Sequence, residues 1–446
     1  MKLAYFTERP YRHIDEDVVL KNKAFFGCPN SLYDEKKGAH DYNQFIDEYC
    51  LAEEVGFDGL ALNEHHGNPY CMGSVINIEA AVLARATSKA KIILIGNPLP
   101  VVKHPLRVAE ELATIDNLSY GRLISGWVRG AGSEQFFNNA NPAYNREMFN
   151  EAHDFILQAW TREGPWRYEG KHFHYRHVNP WVLPYQKPYP QQWIPGVLSP
   201  ETVLWCAEKR YPYLGLGSAL GATCDLWDMY ADKAAELGYQ AGSENFGYLL
   251  PLFVSDNAAE AQEIGRGYTF GGGQNGFSRP EHTLPPGYNS KGAIRMMAKA
   301  APGSSWLGIG KEKLDASRSG KWQEEQDFDI VKQKLLSSYQ RAQENLQIVC
   351  GTPDQVIPKI KAILRVIRPG SFTAFGVQGV ASDQQRNRSI ELLGREVLPA
   401  IREYAKEIGL VDSFERETGS VKLAHGTRRA PVCDREAMRE LGIKAA

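Results

Sequence analysis

No apolar run in the 446 residues approaches the roughly 20 that a membrane helix needs, and the stretch after Met1 turns polar at Thr7-Glu8-Arg9, too soon for a signal peptide. Charge of one sign is also missing. Fifty-one Lys+Arg stand against 53 Asp+Glu, and the formal charge of -2 offers no general attraction for a nucleic acid or an anionic membrane. The seven cysteines are odd in number, scattered and never spaced as CxxC, which argues against a disulfide framework or a structural zinc site and for a reducing, cytoplasmic setting. HExxH, GxSxG and Walker-type loops are absent, so zincin, α/β-hydrolase and P-loop NTPase chemistry lose their main signals. No Gly-rich phosphate turn follows the first strand candidate, where Phe6 runs instead into Thr7-Glu8-Arg9-Pro10, and this counts against a doubly wound dinucleotide sheet. A small molecule is the partner these absences leave.

With 43% hydrophobic, 23% charged and 11% aromatic residues, the chain has the means to bury a large core. Short apolar segments alternate with amphipathic helical patterns, which predicts a parallel sheet with helical crossovers. Strands are expected at 3–7, 58–63, 91–97, 122–128, 192–197, 213–217, 246–254 and 372–378. Helices are expected at about 41–56, 73–88, 105–119, 143–161, 200–210, 222–239, 353–367 and 386–407. Eight of each is the count of a (β/α)8 TIM barrel, here over residues 1–410. Three segments exceed ordinary connections, at about 8–40, 163–190 and 265–330. The last contains Gly271-Gly272-Gly273, Pro285-Pro286-Gly287 and Ser304-Ser305. Its composition suits a lid over the barrel mouth and a surface insertion equally. Residues 411–446 form a polar tail, read either as a subunit-clasping oligomerisation arm or as a frayed terminus.

Several residues bear chemistry. In Leu60-Ala61-Leu62-Asn63-Glu64-His65-His66, strand alternation turns the leucines toward the helices and Asn63 and His65 toward the interior at the catalytic end. An imidazole there is placed to donate or accept a proton, or to satisfy buried carbonyls. Ser199-Pro200-Glu201-Thr202 opens the helix after strand 5. Its free N-H groups and hydroxyls would hold a phosphate, or would simply cap the helix. Arg129 leaves strand 4 beside Gly130, and Arg146 opens the next helix. The pair would clamp a phosphate by bidentate hydrogen bonds, or serve as surface ion-pair partners. His172, His174 and His177 lack carboxylate or cysteine neighbours in sequence, and no metal site is expected from them.

Taken in order, Asn63-Glu64-His65-His66, His104-Pro105-Leu106-Arg107, Asp116-Asn117-Leu118-Ser119-Tyr120-Gly121-Arg122, Val128-Arg129-Gly130, Asn145-Arg146, Ser199-Pro200-Glu201-Thr202 and Gly351-Thr352-Pro353 resemble the bacterial luciferase-like flavin-dependent monooxygenases. The resemblance covers roughly residues 1 to 405 and leaves out the insertions and tail. It implies a TIM barrel that binds reduced FMN (FMNH2), delivered by a separate NAD(P)H:flavin reductase. The flavin would react with O2 to form a C4a-peroxyflavin that oxygenates a small organic substrate. It further implies His65 as the catalytic histidine; Arg129, Arg146, Ser199 and Thr202 as flavin-phosphate ligands; and Asn97 at the flavin ring edge, although Pro98 and Pro100 depart from the family pattern there. A homodimer or homotetramer is the matching expectation. An F420-dependent oxidoreductase on the same barrel, or a flavin-binding protein without catalysis, are the alternatives.

Overall fold

Strand pairing proceeds in chain order until the last strand meets the first. The computed structural model describes residues 1–22, 25–197, 199–268, 280–283, 285–300, 328–377, 379 and 381–443. The barrel strands are β1 (Lys2–Phe6), β2 (Gly59–Leu62), β3 (Lys91–Leu94), β4 (Leu123–Val128), β5 (Gln191–Gly196), β6 (Tyr213–Leu216), β7 (Phe246–Val254) and β8 (Ser371–Phe375), with the short strands Asn97–Pro98 beside β4 and Val349–Gly351 beside β7. All neighbours are parallel, and β8 closes on β1 in the register Lys2↔Ser371 to Phe6↔Phe375. This is the (β/α)8 barrel that the alternation predicts. Around it run α1 (Glu35–Glu54), α2 (Ile76–Ala86), α3 (Pro105–Leu118), α4 (Asn145–Thr161), α5 (Pro200–Lys209), α6 (Leu220–Glu236), α7 (Pro353–Ile367) and α8 (Asp383–Leu392). A π-helical turn joins α8 to a further helix, Leu398–Glu407.

Strands buried on both faces read as nearly continuous apolar runs, as in the nine buried residues of β7. Their alternation divides the core in two. Ala4, Phe6, Ala61, Ile93, Ile124, Leu214, Leu249 and Phe375 fill the barrel interior. Leu3, Tyr5, Leu60, Leu62, Ile92, Leu94 and Leu123 belong to the larger core that includes the buried helix faces. The leucines of β2 thus face as the alternation requires.

The long connections carry structure that composition did not reveal. Trp166–Glu169 and His174–Val178 form an antiparallel hairpin within the 163–190 segment. Helices Glu16–Lys21, Gly132–Phe137, Ala258–Gly265, Pro280–Thr283, Lys291–Ala300 and Phe328–Glu344 lie outside the expected set. Gly271-Gly272-Gly273, Ser304-Ser305 and the expected strand end at Gln378 fall outside the described residues. The tail packs on its own barrel. Arg429 and Arg435 pair with Asp225, Asp228 and Asp232 along α6, and Ala437 and Met438 are buried.

Beyond β3, the Ile95–Gly96 peptide is cis and the backbone runs against β4. A Cβ on Gly126 would stand 1.7 Å from the Leu94 carbonyl oxygen, and one on Gly96 would stand 2.4 Å from Gly126. Gly126→Ala should therefore force these strands apart and cost about 1–3 kcal/mol or more in denaturant unfolding, whereas Ala61→Gly, at a β2 position without such an approach, should show only cavity and flexibility effects.

Candidate active site

The strand ends open into a cavity of about 350 Å³ whose walls include Phe6, Ile95, Val128, Leu216, Leu249 and Phe375. That volume is within the range of small-molecule sites, and these walls are apolar. Polar groups gather in two places along it.

The first lies beyond β1 and β2. His65 lines the cavity, and its Nδ1 is 2.8 Å from Glu134 Oε1. Glu134 sits on the short helix Gly132–Phe137 after β4, where its Oε2 also accepts from the Ala131 N-H at 2.7 Å and from the Ser133 hydroxyl at 3.2 Å. Burial opposes charge on His65, but the Glu134 carboxylate and its hydrogen bond, with Glu8 adding to them, prevail and raise the imidazole to about 9. Burial likewise opposes charge on Glu134, yet His65 holds it down to about 2. The two are an imidazolium–carboxylate pair. An ionised carboxylate only accepts, so Nδ1 carries a hydrogen and Nε2 is left toward Glu8, 3.9 Å from its Oε2. Glu8 itself accepts from the Asn63 side-chain amide, and burial raises its carboxyl group.

Arg9 pins this side from behind. Its backbone is left-handed (φ 54°) and its guanidinium is buried. It donates to the Thr7 carbonyl at 2.8 Å and to the Asn63 carbonyl at 2.5 Å, and stands 2.6 Å from Glu79 of α2. The ends of β1 and β2, and with them Glu8 and His65, are thereby held together.

The second polar region lies beyond β5. Arg146 Nη2 donates to Thr202 Oγ1 at 2.9 Å and to Ser199 Oγ at 3.5 Å. Ser199 occupies the cap position of α5, but its hydroxyl makes no capping bond; it faces Arg146 and Thr202 and donates to Glu201. Burial and then Arg129 push Arg146 down to about 10, and its Nη1 is buried without a hydrogen-bond partner. Arg129 lies over the Tyr288 ring at 4.1 Å, and its carbonyl accepts from Asn145 and Gln135. An unsatisfied guanidinium that stays cationic near neutral pH, together with a second one, two hydroxyls and a helix N-terminus, fits a phosphate group. Four of the residues singled out in sequence meet here, at Arg129, Arg146, Ser199 and Thr202. Asn97 is not among the residues lining the cavity: it is buried and paired in register with Trp127, with its Nδ2 unpaired.

Glu8, Glu134, His282 and Tyr288 escaped the sequence reading. Glu134 had a signal, since Gly132-Ser133-Glu134 follows a strand end with the same helix-start logic as Ser199-Pro200-Glu201. His282 and Tyr288 had none, because they arrive from the long insertion after β7.

The luciferase-like monooxygenase family model matches residues 26–367, and the chain belongs to that family of oxidoreductases. The alkanal monooxygenase alpha chain of Photobacterium leiognathi is 27% identical over 216 residues, 48% of this chain and 59% of its own. The chain spans little more than half the length of the curated relatives it matches. Among solved structures, the oxygenating constituent of the FMN-complexed 3,6-diketocamphane monooxygenase of Pseudomonas putida superposes with TM-score 0.59. It is 18% identical, covering 81% of this chain and 94% of that one. An F420-dependent secondary alcohol dehydrogenase superposes with TM-score 0.56 at 16% identity, covering 90% and 99%.

The His65–Glu134 pair implies a pH signature. The folded imidazole titrates near 9 against about 6.5 in the unfolded chain. Its contribution is fully present below about pH 6.5 and is lost as pH rises through 9; from the Glu134 side it is lost as pH falls from the ordinary carboxylate range through about 2. Unfolding free energy should drop by up to roughly 3 kcal/mol between pH 6.5 and 9, and Glu134→Gln should flatten that slope in urea titrations.

Proposed function

We propose that the protein is a two-component monooxygenase that uses reduced FMN, supplied by a separate NAD(P)H:flavin reductase, to place one atom of O2 in a small organic substrate. The observation that carries this reading is the unsatisfied Arg146 held against Ser199 and Thr202, which with Arg129 line an apolar cavity that has a protonated histidine elsewhere along it. Bound reduced flavin would supply the electrons that activate O2. Arg129 and Arg146 would hold the phosphate, with Ser199 and Thr202 donating to it. The apolar walls would exclude water from the reacting atoms, and His65 Nε2 would hold or release one proton toward the substrate. Asn97 belongs to the proposal only through the family resemblance. Val75, Ile78 and Val82, exposed at and along α2, support a homodimer or homotetramer built through early helices, and the unpaired cysteines suit a cytoplasmic setting.

Phosphate recognition is tested by binding. Arg146→Ala should weaken FMN roughly 10- to 100-fold while leaving riboflavin nearly unchanged. Equal losses for both flavins would remove the phosphate assignment. The reaction type is tested by adding O2 to the anaerobic complex with reduced FMN. A transient absorbing between reduced and oxidised FMN, prolonged in wild type and short-lived in His65→Ala, is expected. Hydride exchange with reduced F420 in the absence of O2, with no such transient, would establish the F420-dependent reading instead.

A further inference from the structure

We infer that His282, carried by the insertion after β7, is a positioning residue for His65 and acts on it through Ser133 and Glu134. His282 Nδ1 lies 3.0 Å from Ser133 Oγ, Ser133 Oγ lies 3.2 Å from Glu134 Oε2, and Glu134 Oε1 lies 2.8 Å from His65 Nδ1. Donor and acceptor roles along this line are determined. The ionised Glu134 accepts only, so the single Ser133 hydrogen points to it and Ser133 must accept from His282, whose Nδ1 therefore carries a hydrogen. The ring of His282 is stacked on Phe25 with centroids 4.0 Å apart and planes 15° apart, which fixes the ring plane, and the bond to Ser133 sets the direction of Nδ1 within it. A second contact fixes the segment itself. A Cβ on Gly132 would stand 1.5 Å from the Glu281 carbonyl oxygen, so Pro280–Thr283 packs backbone to backbone on the helix that bears Glu134.

The other groups around His65 do not perform this task. Glu8, at the end of β1, approaches the opposite ring nitrogen, and Arg9 behind it repels a charged imidazole. Phe25 and Tyr70 supply ring edges and faces. In the same stretch of chain, Glu64 is engaged with His66 and with the Ile76 N-H at the start of α2. Glu134 alone meets Nδ1, and its carboxylate is oriented by the Ala131 N-H and by the Ser133–His282 pair. With His282 in place, the carboxylate faces His65, which keeps its hydrogen on Nδ1 and directs Nε2 to the cavity. The insertion thereby sets the proton affinity of a histidine that follows β2.

This inference rests on the proposed function only in taking His65 as the group that handles the proton, and its test needs no flavin. In the full-length flavin-free protein with labelled histidine, the His65 titration midpoint is followed by NMR. Wild type should titrate near 9. His282→Ala should lower the midpoint by roughly one unit toward the ordinary imidazole value, a tenfold loss of proton affinity. His282→Asn, whose amide nitrogen stands where Nδ1 stood, should restore most of it. Ser133→Ala should reproduce the loss, and the double variant Ser133→Ala/His282→Ala should lose no more than either single variant. An unchanged or raised midpoint in His282→Ala, no rescue by Asn, or additive losses in the double variant would each overturn the inference. Failure of FMN binding or oxygenation with this pattern intact would instead count against the proposed function alone.

Discussion

Closure of the sheet between β8 and β1 is the constraint on which the rest of the molecule depends. A parallel strand pair needs a crossover, and once eight such pairs form a ring, every strand ends at the same mouth. Residues from positions 8, 65, 129 and 199 thus reach one cavity although the chain separates them widely. The same closure makes the barrel interior a packed core of residues such as Phe6, Ile93, Leu249 and Phe375, and a cavity opens above it at the strand ends. The site is therefore a consequence of where packing stops.

Charge is distributed unevenly within that space, and the two polar regions answer to different physics. Near β2, an imidazolium and a carboxylate are buried together and each stabilises the charged form of the other, with buried Arg9 anchoring the strand ends behind them. Beyond β5, the charge of Arg129 bears on Arg146, Glu201 offsets it only in part, no ion pair within 4 Å holds either arginine among the described residues, and one Arg146 nitrogen is short of a hydrogen-bond partner. The first region is balanced by its own residues. The second keeps an excess of positive charge, which is why the proposal puts the phosphate there and not in the first.

The barrel was legible because each buried strand carries its signal locally, in apolar runs such as Phe246–Val254 bounded by turns. Arg129, Arg146, Ser199 and Thr202 were legible because each follows a strand end or opens a helix, positions that a barrel turns toward its mouth. The role of Ser199 was less so: its cap position is visible in sequence, but whether its hydroxyl turns to the helix or to Arg146 depends on a neighbour 53 residues away. Asn97 differs from these four, since only the family resemblance pointed to it, and its side chain is buried beside β4 outside the cavity lining.

By itself, the sequence determined the alternation of strands and helices, the inward face of β2 with His65, and the absence of any signal for polymeric or membrane partners. Only the tertiary structure decided how His65 is charged and which groups hold it there. Glu8, Glu134 and His282 come from three separate connections, and a pKa depends on distance and burial in space, which no local spacing records. The long insertion illustrates the same division: its composition suited more than one role, and only packing against Gly132 and Phe25 brought His282 to the site.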